Sequence, residues 1–198
     1  MTLDQQAREH LDRGDHRGAA SLVLHELGPP VLGYLQAIVR DADHARDVFQ
    51  LFAEELWQAL PGWRVEGSLR AFSYRIAWRA HARFRRDAWR KRRERLRTTM
   101  ASRIAASIVS NESRLPGGRK DRLARLRDSL TPEEQTLLIL RLDRDLSWDE
   151  VAEVLSRDAD RVDPPALRKR FERLKEKLTR LAKEQGLVDT DRDAGEDG

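Results

Sequence analysis

The sequence contains no cysteine and few aromatic residues. None of its 198 residues is Cys, and Phe, Trp and Tyr together make up 6%. The absence of cysteine excludes a disulfide framework and a Cys-ligated zinc site, and it fits a reducing cytoplasm. Five histidines are scattered along the chain without the spacing of metal ligands. We therefore expect neither a metal nor a cofactor.

Long apolar runs and strand patterns are also missing. No apolar stretch approaches the roughly 20 residues that cross a membrane, and residues 1–15 lack the apolar segment of a signal peptide. We therefore expect a cytoplasmic protein without a membrane span. Because β-branched residues show little alternation and no Asn-Gly or Asp-Gly hairpin is found, the predicted fold class is all-α.

Motifs for catalysis are absent as well. The chain has no glycine-rich phosphate loop and no His-Glu-x-x-His pattern. Adjacent acids such as Glu54 and Glu55 are explained by solvation of a helix. The sequence therefore predicts a protein that is not an enzyme and has no catalytic residues.

One strongly basic segment, residues 69–97, dominates the charge of the chain. It holds 12 Lys and Arg residues against 2 acids, whereas the whole chain carries a net charge of only +4. No Gly or Pro interrupts it, so it is predicted to be a helix. Arginines recur every three or four residues along one side of that helix: Arg75, Arg79, Arg83, Arg86, Arg90, Arg93 and Arg97. At about 1.5 Å per residue this row is roughly 33 Å long, close to one turn of duplex DNA.

The basic segment also carries aromatic residues between its arginines. Trp78, Phe84 and Trp89 could stack on bases. Charge runs are often merely solvated, and a basic helix can also bind a membrane surface or an acidic partner. However, like charges spaced four residues apart destabilise an isolated helix, so this row favours a polyanionic partner. Nucleic acid is the predicted ligand.

The region before the basic segment is predicted to form three helices. The first, Ala20–Leu27, is expected to end at Gly28-Pro29-Pro30, and the second covers Val31–Val39. The third is capped by Asp41 or Asp43. On that third helix a polar ridge, separate from the apolar stripe, consists of Asp47, Gln50, Glu54 and Gln58. From periodicity alone, this ridge is explained as a polar helix face that is exposed to solvent.

The second half of the chain has clear helix boundaries. Capping boxes begin at Thr131 and Ser147, and Pro164-Pro165 suits a helix start. The last helix carries an apolar seam at Leu167, Phe171, Leu174, Leu178 and Leu181. A short capped helix, a turn and a longer basic helix form a helix-turn-helix, although such pairs also occur as plain αα-hairpins.

The second helix of a helix-turn-helix enters the major groove with its first turns nearest the bases. The candidate base-reading side chains avoid the apolar seam: Arg168, Lys169, Arg170, Glu172 and Arg173. Arg and Lys can read guanine, and Glu can accept a hydrogen bond from cytosine.

These patterns together resemble an extracytoplasmic-function sigma factor of the sigma-70 family. The run Ala45-Arg46-Asp47-Val48-Phe49-Gln50 with Leu56-Trp57 downstream is similar to the second sigma region, as is the entry to the basic helix at 69–77. Three runs in the second half of the chain resemble the fourth sigma region: Leu130-Thr131-Pro132-Glu133-Glu134, Glu150-Val151-Ala152 and Leu167-Arg168-Lys169-Arg170.

The resemblance implies two small helical domains and a short linker. The expected bounds are 1–97 for a region-two-like domain, 98–120 for the linker and 121–186 for a region-four-like helix-turn-helix domain. Residues 187–198 are expected to be a disordered acidic tail.

The resemblance also implies partners and site residues. Asp47, Gln50 and Glu54 match positions that dock on the β′ clamp helices of core RNA polymerase, and the β flap is a second expected contact. Promoter DNA is bound at its −35 element by the last helix and at its −10 element by the basic helix, and an anti-sigma factor is a possible further partner. The −10 set is Arg75, Trp78, Arg79, Arg83, Phe84, Arg86, Trp89 and Arg90.

The chain departs from the family pattern in two places. Arg79 and Arg83 stand where the family commonly has Asn and Asp, so phosphate contact is favoured over base readout there. The turn Ser156–Pro165 is about twice the usual length. The leading prediction is a sigma factor. The alternatives are a stand-alone helix-turn-helix regulator and a sigma-like repressor that binds polymerase without melting DNA.

Overall fold

The structure, a computed structural model, describes residues 1–63, 67–96, 126, 128–156 and 161–187, with the backbone alone for 88–96. Within these ranges the regular structure is helical and no strand occurs. The predicted all-α fold class is confirmed. The predicted linker, and all but the first residue of the predicted tail, lie outside the described residues.

The described residues up to 96 form four helices and a short turn. They are α1 (Leu3–Asp12), α2 (His16–Val39), α3 (Ala42–Ala59), a 3-10 turn (Leu60–Gly62) and α4 (Leu69–Leu96). Asp41 caps α3 by accepting a hydrogen bond from the His44 backbone N–H at 2.8 Å, so the first of the two predicted caps is the one used. Helix α1 was not predicted, although Thr2 and Gln5 form a capping box at its start.

Helix α2 is continuous, and the predicted break at Gly28-Pro29-Pro30 is wrong. Each proline removes one backbone hydrogen bond of the helix. However, Pro29 is exposed, and carbonyl groups on that side can bind water instead. Both halves of α2 contribute buried side chains to the same core, including Leu27 before the prolines and Val31 after them. Burial of this shared apolar face therefore outweighs the local preference to stop.

Three helices follow in the second half of the chain. They are α5 (Pro132–Leu138), which continues into a π-helical turn (Ile139–Asp143), α6 (Trp148–Leu155) and α7 (Pro164–Glu184). Both predicted capping boxes are present, at Thr131 and Ser147. The seam of α7 is buried at Leu167, Phe171 and Leu174. The middle of the long turn, 157–160, lies outside the described residues.

The Ser147 capping box offers a test of local stability. Ser147 Oγ accepts a hydrogen bond from the Glu150 backbone N–H at 3.2 Å, and the Glu150 carboxylate accepts one from the Ser147 backbone N–H at 2.8 Å. We expect Ser147→Ala to lower the free energy of unfolding by about 1 kcal/mol, measured by urea denaturation. Ser147→Thr keeps the hydroxyl and serves as the control. Equal stability of the alanine and threonine variants would contradict the expectation.

A single hydrophobic core joins the two halves. Buried side chains of α2, α3 and α4 form one cluster with those of α5, α6 and α7. Helix α6 packs directly against α4, and α5 contacts α2. At the second of these contacts the Tyr34 hydroxyl lies 3.2 Å from Thr136 Oγ1, and both groups are buried. The helix-turn-helix is therefore docked on the first four helices.

Helix α2 is long and apolar enough, by length and composition alone, to cross a membrane. This differs from the expectation that no such stretch exists. The helix lies in the core, where Val23, Val31, Tyr34 and Leu35 are fully buried against the rest of the protein. Core helices commonly have this composition, so the finding is weak evidence for a membrane span.

Candidate nucleic-acid interface

The basic helix α4 begins at a side-chain cap and lies on the core along one face. Ser68 Oγ accepts a hydrogen bond from the Ala71 backbone N–H at 3.1 Å. Leu69, Phe72 and Ile76 are buried on the core side. Helix α4 continues without interruption to Leu96. The apolar face therefore fixes which arginines point away from the core.

The described arginines of the predicted row differ in their surroundings. Arg79 and Arg86 are exposed, and Arg83 is exposed but forms an ion pair with Glu55 of α3 at 2.5 Å. Arg75 is partly buried and lies 3.3 Å from a Glu153 carboxylate oxygen of α6. The side chain of Arg90 lies outside the described residues. The exposed part of the row thus includes Arg79 and Arg86, and both ion-paired arginines contact neighbouring helices.

Burial raises the pKa of the two carboxylates that face the row. It raises the pKa of Glu55 above its usual value, and the positive charges of Arg83 and Arg79 offset part of the rise. Burial likewise raises the pKa of Glu153, against the influence of Arg75. Each carboxylate thus loses part of its hydration on packing against α4, and the facing arginine compensates in part.

Two of the predicted stacking residues pack against other side chains of the protein. Trp78 is 7% exposed and its ring lies 5.6 Å from that of His81. Phe84 is partly buried, with its ring 5.4 Å from that of His44. The side chain of Trp89 lies outside the described residues. An open cleft of about 600 Å³ nevertheless reaches Trp78, and its wall includes Arg79, Arg83 and Arg86.

His81 is a feature of this helix that the sequence did not reveal. It is 3% exposed, and its buried Nδ1 atom has no hydrogen-bond partner among the described residues. Burial, with a smaller contribution from the charge of Arg85, lowers the pKa of His81 to about 4. The imidazole is therefore neutral at pH 7. The sequence signal for its burial was its position on the same helix face as the buried residues Ala77 and Ala80.

The predicted −35 side chains lie together on the outer surface of α7. All five are exposed: Arg168, Lys169, Arg170, Glu172 and Arg173. Glu172 forms an ion pair with Lys175 at 2.7 Å. One turn beyond Arg173, Lys177 contacts Glu134 of α5 at 2.9 Å and so helps to attach the helix to its support. The structure therefore collects this set on one accessible face.

The polar ridge of α3 is also accessible. Asp47, Gln50 and Glu54 are exposed, while Val48 and Phe52 between them are fully buried. Trp57, one helical turn beyond Glu54, is 49% exposed. A large exposed aromatic side chain beside a polar ridge is typical of a protein-binding surface.

No metal-binding group is evident in the described ranges. Among those residues, no three His, Cys, Asp or Glu side chains are placed to hold a metal ion. The surfaces available for function are therefore the arginine-bearing face of α4, the outer face of α7 and the ridge of α3.

Comparison with known families assigns the segment that contains α3 and α4. Residues 23–91 match the family model of Sigma-70 region 2. This segment of the chain is therefore similar to the second sigma region. The match agrees with the resemblance found in the sequence, and the matched segment includes the ridge of α3 and the arginines of α4 up to Arg90. No curated protein matches the chain.

Two solved structures share the fold of this chain. CnrH, solved in complex with the cytosolic domain of CnrY, is 18% identical, with a TM-score of 0.62 over 92% of this chain and 99% of that one. The sigma factor RpoE from Bartonella quintana, solved with the anti-sigma factor NepR, is 15% identical, with a TM-score of 0.53 over 85% of this chain and 96% of that one. The likeness extends over both helical halves, so it covers the helix-turn-helix as well as the matched segment.

Proposed function

We propose that the chain binds core RNA polymerase and directs it to specific promoters by recognising −35 and −10 DNA elements. It acts in the cytoplasm as a binding factor without catalytic residues of its own. One observation carries this proposal: the segment matched to Sigma-70 region 2 holds both the exposed acidic ridge of α3 and the exposed arginines of α4. One small unit thus carries a surface suited to binding a protein and a surface suited to binding a polyanion. This combination suits a factor that binds polymerase and DNA together.

In this proposal, different segments of the chain bind polymerase and the two DNA elements. Residues 1–97 act as region two and residues 121–186 as region four, connected by the linker 98–120 and followed by the acidic tail 187–198. The ridge of α3 docks on the β′ clamp helices, with Trp57 as an apolar anchor at its edge. Region four meets the β flap and places the outer face of α7 on the −35 element.

The two basic surfaces differ in the kind of contact that they suit. The five exposed side chains of α7 follow one another in the first turns, the position from which a recognition helix reads bases. On α4, the exposed guanidinium groups of Arg79 and Arg86 suit phosphates. The cleft beside Trp78 offers space for a base that leaves the duplex.

Run-off transcription with purified core polymerase tests the proposal. We expect transcripts that start at specific sites on genomic fragments only when the chain is added, together with co-elution of the chain and core. If core and chain do not associate, and no promoter-dependent transcript forms, the proposal is wrong.

Arg86 gives a quantitative test of the phosphate contacts. We expect Arg86→Ala to weaken holoenzyme binding to DNA at every promoter and to reduce the slope of log K against log salt by about one. The measurement is fluorescence anisotropy at a series of salt concentrations. Arg13→Ala removes an exposed arginine at the C-cap of α1, outside the matched segment, and should leave the slope unchanged. An unchanged slope for Arg86→Ala would contradict the assignment.

A sigma-like repressor is the second candidate, and one observation favours it. Arg83 and Trp78, near the expected site of strand separation, are engaged with Glu55 and His81 within the protein. Such a chain would associate with core and suppress transcripts in the same assay. A stand-alone helix-turn-helix regulator would instead shift a specific duplex in a gel without any polymerase.

An anti-sigma factor is a further proposed partner. Both solved structures of like fold were obtained with a bound partner, named as an anti-sigma factor in one of them. Co-purification from the source cells, followed by inhibition of the run-off assay, would identify such a protein.

A further inference from the structure

The cleft beside Trp78 has walls from several parts of the fold. It has a volume of about 600 Å³, and its lining comes from α3, α4, α5 and Ser156 at the end of α6. This volume falls within the range of pockets that hold small molecules. A molecule inside the cleft would therefore be contacted by several helices at once.

Positive charge predominates on the walls of this cleft. Among the described residues that line it, the two acids Glu55 and Glu133 are outnumbered by four arginines: Arg79, Arg83, Arg85 and Arg86. Glu55 already lies 2.5 Å from Arg83. The charge of Arg85 contributes to the lowered pKa of His81, so its guanidinium group acts on the buried side of the cleft. The excess of arginine suits a ligand with two or more negative charges.

His81 adds an unsatisfied polar atom to the cleft. Its side chain lines the cleft and is buried, and its Nδ1 atom has no hydrogen-bond partner in the described ranges. A buried polar atom without a partner is unfavourable. Because an imidazole nitrogen donates or accepts a hydrogen bond according to its tautomer, a ligand that carries oxygen and N–H groups would satisfy it.

The cleft differs from the arginine row predicted to bind DNA. Arg85 lines the cleft but is not a member of that row, and it shares a helix face with Trp78 and His81 at steps of three and four residues. The acids Glu55 and Glu133 repel a continuous chain of phosphates, but their carboxylates accept hydrogen bonds from hydroxyl and amino groups. This combination fits a molecule with phosphates at one end and hydrogen-bond donors at the other.

We propose that this cleft binds a nucleoside triphosphate, with the phosphates on the four arginines and with the ribose or base donating hydrogen bonds to Glu55 and Glu133. The site itself does not require a function in transcription. Its consequence for DNA rests on the proposed function. Since Arg79, Arg83 and Arg86 also belong to the −10 set, a bound nucleotide excludes DNA from these residues.

Calorimetric titration of the full chain tests the site. The ligands are ATP, GTP and inorganic tripolyphosphate, each without divalent metal at about 0.15 M salt. We expect one nucleotide to bind per chain. Tripolyphosphate should bind at least tenfold more weakly than the better nucleotide, because it has no donor groups for the two acids.

Arg85→Ala is the matched variant. We expect it to lower the affinity for ATP about tenfold, because a charge-assisted hydrogen bond is lost, and to leave thermal unfolding unchanged, because Arg85 is exposed. Arg85→Lys keeps the charge and should regain part of the affinity. Arg17→Ala removes an exposed arginine of α2 outside the cleft and should bind ATP as the wild type does. The NMR signals of the His81 imidazole should shift when ATP is added.

Competition with DNA tests the consequence. Saturating ATP should weaken binding of the wild-type chain to a random-sequence duplex at least threefold. Tripolyphosphate at the same concentration controls for ionic strength and should have a smaller effect.

Three outcomes would overturn the inference. They are no measurable binding of either nucleotide, equal affinity for tripolyphosphate and the better nucleotide, and equal losses in Arg85→Ala and Arg17→Ala, which would indicate attraction by net charge alone. Failure of the proposed function appears differently, as absent core association and transcription by a chain that still binds ATP. ATP binding in the cleft without any effect on duplex binding would support the site and contradict the −10 assignment of Arg79, Arg83 and Arg86.

Discussion

Asp47→Arg is expected to lower the affinity of the chain for core RNA polymerase at least about a hundredfold. Asp47 is exposed on the ridge of α3, between fully buried core positions, so its replacement should leave the fold intact. A reversed charge at the centre of a complementary interface costs several kcal/mol. Competition with a fluorescent wild-type chain for core polymerase measures the change.

The same substitution elsewhere provides the control. Asp12→Arg places arginine on an exposed site of α1, outside the segment matched to Sigma-70 region 2, and should bind core as the wild type does. Thermal unfolding of both variants should match the wild type. Wild-type affinity in Asp47→Arg would show that the ridge is only solvated, the alternative that its periodicity alone favours.

His81→Leu is expected to make the protein less sensitive to acid. The pKa of His81 is lowered to about 4, chiefly by burial, whereas an unfolded histidine has a pKa of about 6.5. Between these values the unfolded chain binds a proton that the folded chain does not, so stability falls as the pH drops from about 6.5 to 4. That loss amounts to about 3 kcal/mol and should be absent in the leucine variant.

Urea denaturation across this pH range measures the effect. At pH 7 the leucine variant should have nearly the wild-type stability, since the Nδ1 atom it removes has no hydrogen-bond partner in the part of the chain that the structure describes. His25→Leu, at a position that is 84% exposed, should keep the wild-type pH profile. Parallel profiles for the wild type and His81→Leu would contradict the assignment of this acid sensitivity to His81.

Local signals in the sequence predicted most helix boundaries. Asp41, Thr131 and Ser147 cap helices because each supplies a side-chain acceptor to an unpaired N–H group. The exposed faces of α3 and α7 were also predictable, because periodicity separates them from the apolar stripes. Such features depend on residues that are close in the sequence.

Features that depend on distant residues were not predicted. Helix α2 passes through Pro29 and Pro30 because its two halves share one core, and local propensity contains no information on that core. The pairing of Arg75 with Glu153 and of Arg83 with Glu55 joins residues far apart in the chain. The sequence predicts the arginine row but not which of its members the protein itself neutralises.

The apolar residues and the exposed arginines of α4 lie on different faces of the helix. The DNA contacts in the proposed function can therefore change while the protein keeps its fold. Leu69, Phe72 and Ile76 are buried, whereas Arg79 and Arg86 project from the helix into solvent. Mutations at these two arginines can therefore accumulate without loss of folding. In the proposed function, the strength of phosphate binding can therefore change there in single steps, whereas changes on the buried face would be removed by selection for stability.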